Sequence, residues 1–394
     1  MPPSPDLDGA DAPPAAAPLG PPPATAAWRP GDPPGDRRFV ALNGPIALER
    51  GGVLPAVTVA YETWGRLAPD GSNAVLVLHA LTGDSHAAGE AGPGHPTPGW
   101  WDPLIGPGRP LDTDRWYVVC PNVLGGCQGT TGPASPAPAG RPWGSRWPEI
   151  TIGDQVRVEA MFADALGISR WAAVIGGSMG GMRALEWAVA FPERVANAVV
   201  IACGATATAE QIALYSTQLA AVRADPKWRG GDSHDQPAGG GPHVGLGIAR
   251  QMAQVSYRSE IELEQRFGNR VQPDGRYAAT SYIEHHGDRI TRRFDAGSYV
   301  TLTTAMMSQD VGRGRGGVAA ALRACPTPIT VVGVDSDRLY PPRLQEEMAR
   351  LLDTELHMIK SLRGHDGFLL EADQVGRIVR QVLGQPTSTS PTPA

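Results

Sequence analysis

The chain has 394 residues, 41% of them hydrophobic, with a formal net charge of -6 and four cysteines. That length and apolar content support a substantial core in one large or two ordinary domains, while the acidic balance offers no basic field, so nucleic acid and anionic membranes are poor partners. No run of about 18 apolar residues could span a bilayer, the N-terminus lacks a basic segment followed by an apolar core, and Cys120, Cys127, Cys203 and Cys325 form neither a Cys-x-x-Cys pair nor a metal-ligand rhythm; a cytoplasmic protein with buried thiols and no metal is expected.

Residues 1–36 are dominated by Pro and Ala and have almost nothing to bury, so disorder is expected there. The Pro/Thr/Ser tail over 385–394 reads the same way. Core sequence begins at 37. Phe39 to Tyr61 predicts antiparallel strands at a sheet edge, turning at Gly51-Gly52. Ala74 to Leu78, AVLVL, predicts a strand buried on both faces, running into His79-Ala80-Leu81-Thr82-Gly83-Asp84-Ser85-His86. A small-residue loop at that point can supply a backbone N–H to an oxyanion, and Leu81 is the candidate donor. His79 and His86 read as loop histidines making local hydrogen bonds.

Trp116 to Val119 predicts a further strand, followed by the loop Pro121 to Pro133. Its Gly, Pro and Asn content excludes regular structure, and without a Lys-Ser/Thr ending or a following helix it is not a phosphate loop. A helix is expected over Gln155 to Leu166. Then comes WAAVIGGSMGGMRALEWAVAFPERV, residues 171–195, which reads as buried strand, sharp turn and helix, with Met182, Leu185 and Val189 on one apolar face. Gly176-Gly177-Ser178-Met179-Gly180 is a Gly-x-Ser-x-Gly elbow. Small flanking residues let strand and helix approach, and the turn lifts the Ser178 hydroxyl to the top of the sheet. The N–H of Met179 is the second oxyanion donor.

Ala196 to Ala202 is another strand, completing a first core part over 37–205. Residues 206–310 change character. Helices around Ile212 to Val222, Ile248 to Val255, Ile261 to Phe267 and Tyr299 to Met307, with a Gly/Pro-rich loop from Gly230 to Gly245, predict a helical lid inserted over the sheet. Arg250 and Tyr257 are two turns apart and share one face, where they could hold a small charged substrate. The second core part, 311–384, has a strand at Ile329 to Val332 ending in Asp335 and Asp337, a helix with Leu344, Met348 and Leu351, and a strand at Glu355 to Ile359 ending in Gly364-His365-Asp366. Helix Val375 to Val382 closes it.

Strands alternating with helices give an α/β class with a mostly parallel sheet and helices on both faces. Acid and histidine at the ends of successive strands lie at the rim where such sheets place sites. The order Ser178, aspartate, His365 is that of an α/β-hydrolase triad: the imidazole takes the serine proton and the carboxylate orients the imidazole. Spacing does not choose between Asp335 and Asp337.

GGSMGGM, NVLGGCQGTTGP, GWWDPLIGPGRPLDTDRW, SDRLYPP and GHDGFLLE together resemble the homoserine O-acetyltransferase family, over about Phe39 to Leu383. The resemblance implies an α/β-hydrolase fold with a helical lid, dimeric through that lid, and no bound cofactor. It also implies acetyl transfer from acetyl-CoA to L-homoserine, carried on the serine in a ping-pong cycle of the methionine pathway. By the same resemblance the triad maps onto Ser178, Asp337 and His365, and the homoserine contacts onto Arg250, Tyr257 and Asp366. A zwitterion needs a cation for its carboxylate, here Arg250, and an anion for its amine, here Asp366. The Gly230–Gly245 loop and the N-terminal extension depart from the pattern. Close alternatives are homoserine O-succinyltransferase, serine O-acyltransferase, transfer to an antibiotic acceptor, or a serine esterase of the same fold.

Overall fold

The computed structural model describes residues 20–384. In chain order its strands are β1 (Arg38–Ala47), β2 (Val53–Trp64), β3 (Ala74–Leu78), β4 (Ile105–Gly106), β5 (Leu111–Asp112), β6 (Tyr117–Pro121), β7 (Ala173–Gly177), β8 (Ala198–Ile201), β9 (Ile329–Val334) and β10 (Leu356–Ile359). Helix α1 (Ile152–Ala165) precedes β7 and α2 (Met179–Ala190) follows it. Between β8 and β9 lie α3 (Ala209–Ala224), α4 (His243–Tyr257), α5 (Glu260–Phe267), α6 (Ala278–Ile290), α7 (Ala296–Met307) and α8 (Val318–Ala324). The chain ends with α9 (Pro342–Leu352), α10 (Gly367–Leu370) and α11 (Ala372–Val382).

Eight strands form one sheet in the order β1-β2-β6-β3-β7-β8-β9-β10. β1 and β2 pair antiparallel at the edge, β2 pairs antiparallel with β6, and every pair from β6 to β10 is parallel. The parallel strands alternate their side chains between two cores, as a period of two requires. Leu76, Leu78, Val174, Val200 and Val331 join the core under α1, α2 and α9. Val75, Val77, Ile175, Val199, Ile201 and Val332 join the opposite one, closed by Val375 and Val379 of α11. Both faces are covered, so these strands read as continuous apolar runs. Because β3, β6, β7, β9 and β10 run the same way, the loops after them share one rim.

Three sequence expectations need correction. Residues 20–36 are ordered: Ala27 is buried, the Trp28 N–H donates to Cys127 at 2.9 Å, and Thr25 Oγ1 donates to Asp295 at 2.6 Å. Apolar content was the wrong measure there, since backbone groups and a few side chains tie the segment to the loops below. Residues 1–19 and the tail 385–394 lie outside the described residues. Helix α6 was not anticipated, because its sequence AATSYIEHHGDRI carries few apolar residues and only Ala278, Gly287 and Ile290 of it are buried. Helix α4 starts at His243, inside the stretch read as loop. Among the described residues no helix is long and apolar enough to cross a membrane.

Candidate active site

Ser178 sits between β7 and α2 with φ 57° and ψ -123°, a backbone state that non-glycine residues rarely adopt. Its neighbours explain how the chain tolerates this. A Cβ on Gly180 would overlap the Leu78 carbonyl, and one on Gly176 would overlap the backbone of Gly180. Glycine at both places lets α2 start directly against β3 and β7. The Ser178 hydroxyl therefore stands at the common rim, only 5% exposed.

His365 and Asp337 meet it there. His365 Nε2 is 2.8 Å from Ser178 Oγ, and His365 Nδ1 is 2.7 Å from Asp337 Oδ2. The other oxygen of Asp337 accepts the N–H groups of Leu339 and Tyr340, each at 2.8 Å, which fixes the carboxylate. Burial opposes a charged imidazole, but the Asp337 carboxylate outweighs it and holds His365 above its ordinary value. Asp335, left open by spacing, points elsewhere: it accepts Ser361 N–H at 3.0 Å and faces Lys360 at 3.5 Å.

The loop after β3 lies alongside. His79 Nδ1–H donates to Ala80 O at 2.8 Å, and its Nε2 accepts Val123 N–H at 3.0 Å, linking the β3 and β6 loops. These are the local bonds expected of His79. Burial, reinforced by Arg183, pushes its pKa down to about 3, so it stays neutral. Arg183, fully buried on α2, donates to His79 O at 2.5 Å and pairs with Glu159 at 2.6 Å, while Trp187 donates to Glu159 at 2.8 Å. Burial pushes Glu159 up, against the pull of Arg183. Sequence reading missed this pair; two long charged residues on helix faces otherwise apolar were the available signal. Among the described residues, neither Leu81 N–H nor Met179 N–H has a hydrogen-bond partner within the protein. The Met179 group is one of the free N–H groups that every helix start leaves.

From the insertion, Arg250 and Tyr257 share a face as expected, the guanidinium 5.2 Å from the Tyr257 ring centre. The ring in turn lies 5.8 Å from His365. Burial raises the Tyr257 hydroxyl, with Arg250 pulling the other way. Asp366 is brought to the same place, but with a partner that spacing did not reveal: Arg258 Nη2 at 3.2 Å. Burial raises Asp366, and the charge of Arg258 only partly opposes it. Arg258 also meets Glu262 at 3.3 Å, and Glu262 receives Arg363 at 2.8 Å. Another guanidinium, the half-buried Arg293, feels burial and then the charge of Arg250, which lower its pKa. Among the described residues no carboxylate pairs with Arg250 or Arg293.

His86 bonds locally as expected, its N–H donating to Asp84 at 2.9 Å and its Nε2 lying 3.2 Å from Glu90 O, and its Nδ1 also reaches Glu62 on β2 at 2.8 Å. Its ring stacks on His95 at 3.8 Å, and His95 Nε2 accepts Asp36 N–H at 3.1 Å. Asp36, Glu62, His86 and His95 are the group among the described residues with ligand-type atoms within 4.8 Å of one another. The lone pair of His95 Nε2 and the Glu62 side of His86 are engaged in these bonds, so the group works as a polar clasp on the N-terminal segment.

Comparison with known proteins agrees with this geometry. A family model described as alpha/beta hydrolase fold matches residues 73–372. A homoserine O-acetyltransferase of Thermobifida fusca (strain YX) is 57% identical over 371 residues, covering 92% of this chain and 98% of its own. The crystal structure of a homoserine O-acetyltransferase from Bacillus anthracis superposes with a TM-score of 0.80 at 26% identity, over 90% of this chain and 99% of that one. That of esterase E22 also gives 0.80, at 25% identity over 88% and 100%.

Proposed function

The chain belongs to the homoserine O-acetyltransferase family of α/β hydrolases, and from that premise we propose that it moves an acetyl group from acetyl-CoA to the hydroxyl of L-homoserine through an acyl-serine, in the cytoplasm and on the route to methionine. The observation that carries the reading is the chain Ser178 Oγ, His365 Nε2, His365 Nδ1, Asp337 Oδ2, closed at 2.8 and 2.7 Å on a strained elbow.

In the first half-reaction His365 Nε2 takes the Ser178 proton as Oγ attacks the thioester carbon. The developing oxyanion is held by Met179 N–H and Leu81 N–H, both without an internal partner among the described residues. Collapse breaks the C–S bond, and the imidazolium returns its proton to the departing thiolate. In the second half His365 takes the proton of the acceptor hydroxyl, whose oxygen attacks the acyl-serine; Ser178 leaves and is reprotonated. Asp337 stabilises the imidazolium in both halves.

Arg250 serves the acceptor carboxylate and Asp366 its ammonium, with Tyr257 between them. The raised Asp366 favours this role, because an ammonium supplies charge that Arg258 alone does not. The helical insertion acts as a lid and as the contact surface of a homodimer. No resident cofactor is required, since the acyl group travels on the serine.

The test is release of CoA thiol from acetyl-CoA alone, with L-homoserine, and with L-serine. Release dependent on homoserine supports the transferase; release indifferent to both acceptors identifies hydrolysis, the second reading, which the likeness to esterase E22 favours. Succinyl-CoA in place of acetyl-CoA examines the donor.

A further inference from the structure

A cleft of about 560 Å³ opens at the same rim as Ser178, over the β3 and β6 loops, on the side of the elbow opposite the Asp337 and His365 loops. Its walls are the N-terminal segment, the 92–96 turn, Gln128, His234 and the Arg292–Arg293 pair. We propose that this cleft receives the phosphorylated nucleotide end of an acyl-CoA, with Arg29, Arg292 and Arg293 as phosphate partners and Trp28 as the surface for the base. The proposal rests on the acyl-CoA reading above and locates the part of the donor that takes no part in the chemistry.

Arg29 gives one bond to His234 O at 2.5 Å, and Arg292 one to Gly20 O at 2.5 Å, which orients both guanidiniums and leaves further N–H groups free. Arg293 lines the cleft without a side-chain hydrogen bond or ion pair among the described residues. The carboxylate in the wall, Asp32, accepts the backbone N–H of Arg29 at 2.7 Å and pairs with none of the three. Arg29, Arg292 and Arg293 line one cleft and, among the described residues, none of them makes an ion pair, although Asp84 attracts Arg293 from a distance; in a protein of net charge -6 this is a local exception that an anion of several charges would satisfy.

Shape and position narrow the anion. Trp28, stacked on Phe39 at 4.8 Å, puts an aromatic surface in the wall, which a simple inorganic anion would leave unused. The cleft's 92–96 turn and Gln128 belong to the loops after β3 and β6, which His79 and Val123 join at 3.0 Å beside the elbow. A head group held in the cleft would thus leave its flexible thioester arm on the side of these loops that faces Ser178. The ordering of residues 20–36 also acquires a purpose, because that segment supplies Trp28 and Arg29.

Free CoA and 3′-dephospho-CoA are titrated calorimetrically into the full-length protein and into Arg29→Glu/Arg292→Glu, two exposed positions; Arg29→Lys/Arg292→Lys is the conservative control. CoA binding should weaken about tenfold or more in the Glu variant and recover in the Lys variant. The ratio of kcat/KM for acetyl-CoA to that for p-nitrophenyl acetate should fall by about the same factor. Equal CoA affinity in wild type and the Glu variant overturns the cleft while leaving the donor reading intact. A wild type that binds no CoA and releases no thiol from acetyl-CoA removes both.

Discussion

From inside the core, Arg183 donates to the carbonyl oxygen of His79 at 2.5 Å while its other terminal nitrogen meets Glu159 at 2.6 Å. A buried ion pair thus fastens the loop that carries the Leu81 N–H to the helix that begins with the Met179 N–H. The two proposed oxyanion donors are positioned by one side chain.

Removing that side chain should therefore act twice. Arg183→Met leaves the Glu159 carboxylate buried and unpaired, a loss of about 3–5 kcal/mol, and should slow both half-reactions alike. Urea unfolding and single-turnover acylation measure the two effects. A variant as stable as wild type, or one slowed only with acceptor, contradicts the role given to Arg183.

The serine backbone offers a test of strain. At φ 57° Ala keeps the strain of Ser178, whereas Gly relieves it. Both Ser178→Ala and Ser178→Gly should abolish acylation, and the Gly variant should be the more stable by about 1 kcal/mol after its larger unfolded-state entropy is counted. Equal midpoints in thermal unfolding would mean that the elbow stores no strain.

The base must be neutral to act. His365 is held above the ordinary histidine value, so its protonated form persists to higher pH, and acylation should rise with pH with a midpoint above about 6.5. Asp337→Asn removes the charge that raises it and leaves burial, which lowers it, so the midpoint should move down while the rate falls roughly 10³–10⁴-fold. The reverse shift would place the titrating group elsewhere.

Donor and acceptor contacts should separate kinetically. Arg250→Ala should raise the L-homoserine KM at least about tenfold and leave acylation by the donor nearly intact. Equal damage to both half-reactions would refute the assignment of Arg250 to the acceptor carboxylate.

Much of this was legible in the chain because it depends on local rules. Continuous apolar strands at Ala74–Leu78 and Ala173–Gly177 announce a parallel sheet, Gly176 and Gly180 around Ser178 announce an elbow, and strand-end acids and histidine announce a rim. Arg250 and Tyr257 could be paired because helical periodicity alone puts them on one face.

What the sequence by itself determined is therefore the order of elements and the residue types delivered to the ends of the parallel strands. Spacing left Asp335 and Asp337 open and only the family resemblance selected Asp337, which the structure sets against His365; tertiary structure alone decided that Arg258 meets Asp366, that Arg183 holds His79, and that residues 20–36 fold onto the loops and wall a cleft. The physical reason is that strand and helix patterns follow from spacing within a few residues, whereas an ion pair or a buried hydrogen bond depends on the approach of segments far apart in the chain. His365 and Asp337 are 28 residues apart, Arg183 and His79 are 104, and Thr25 and Asp295 are 270; no local pattern encodes such distances.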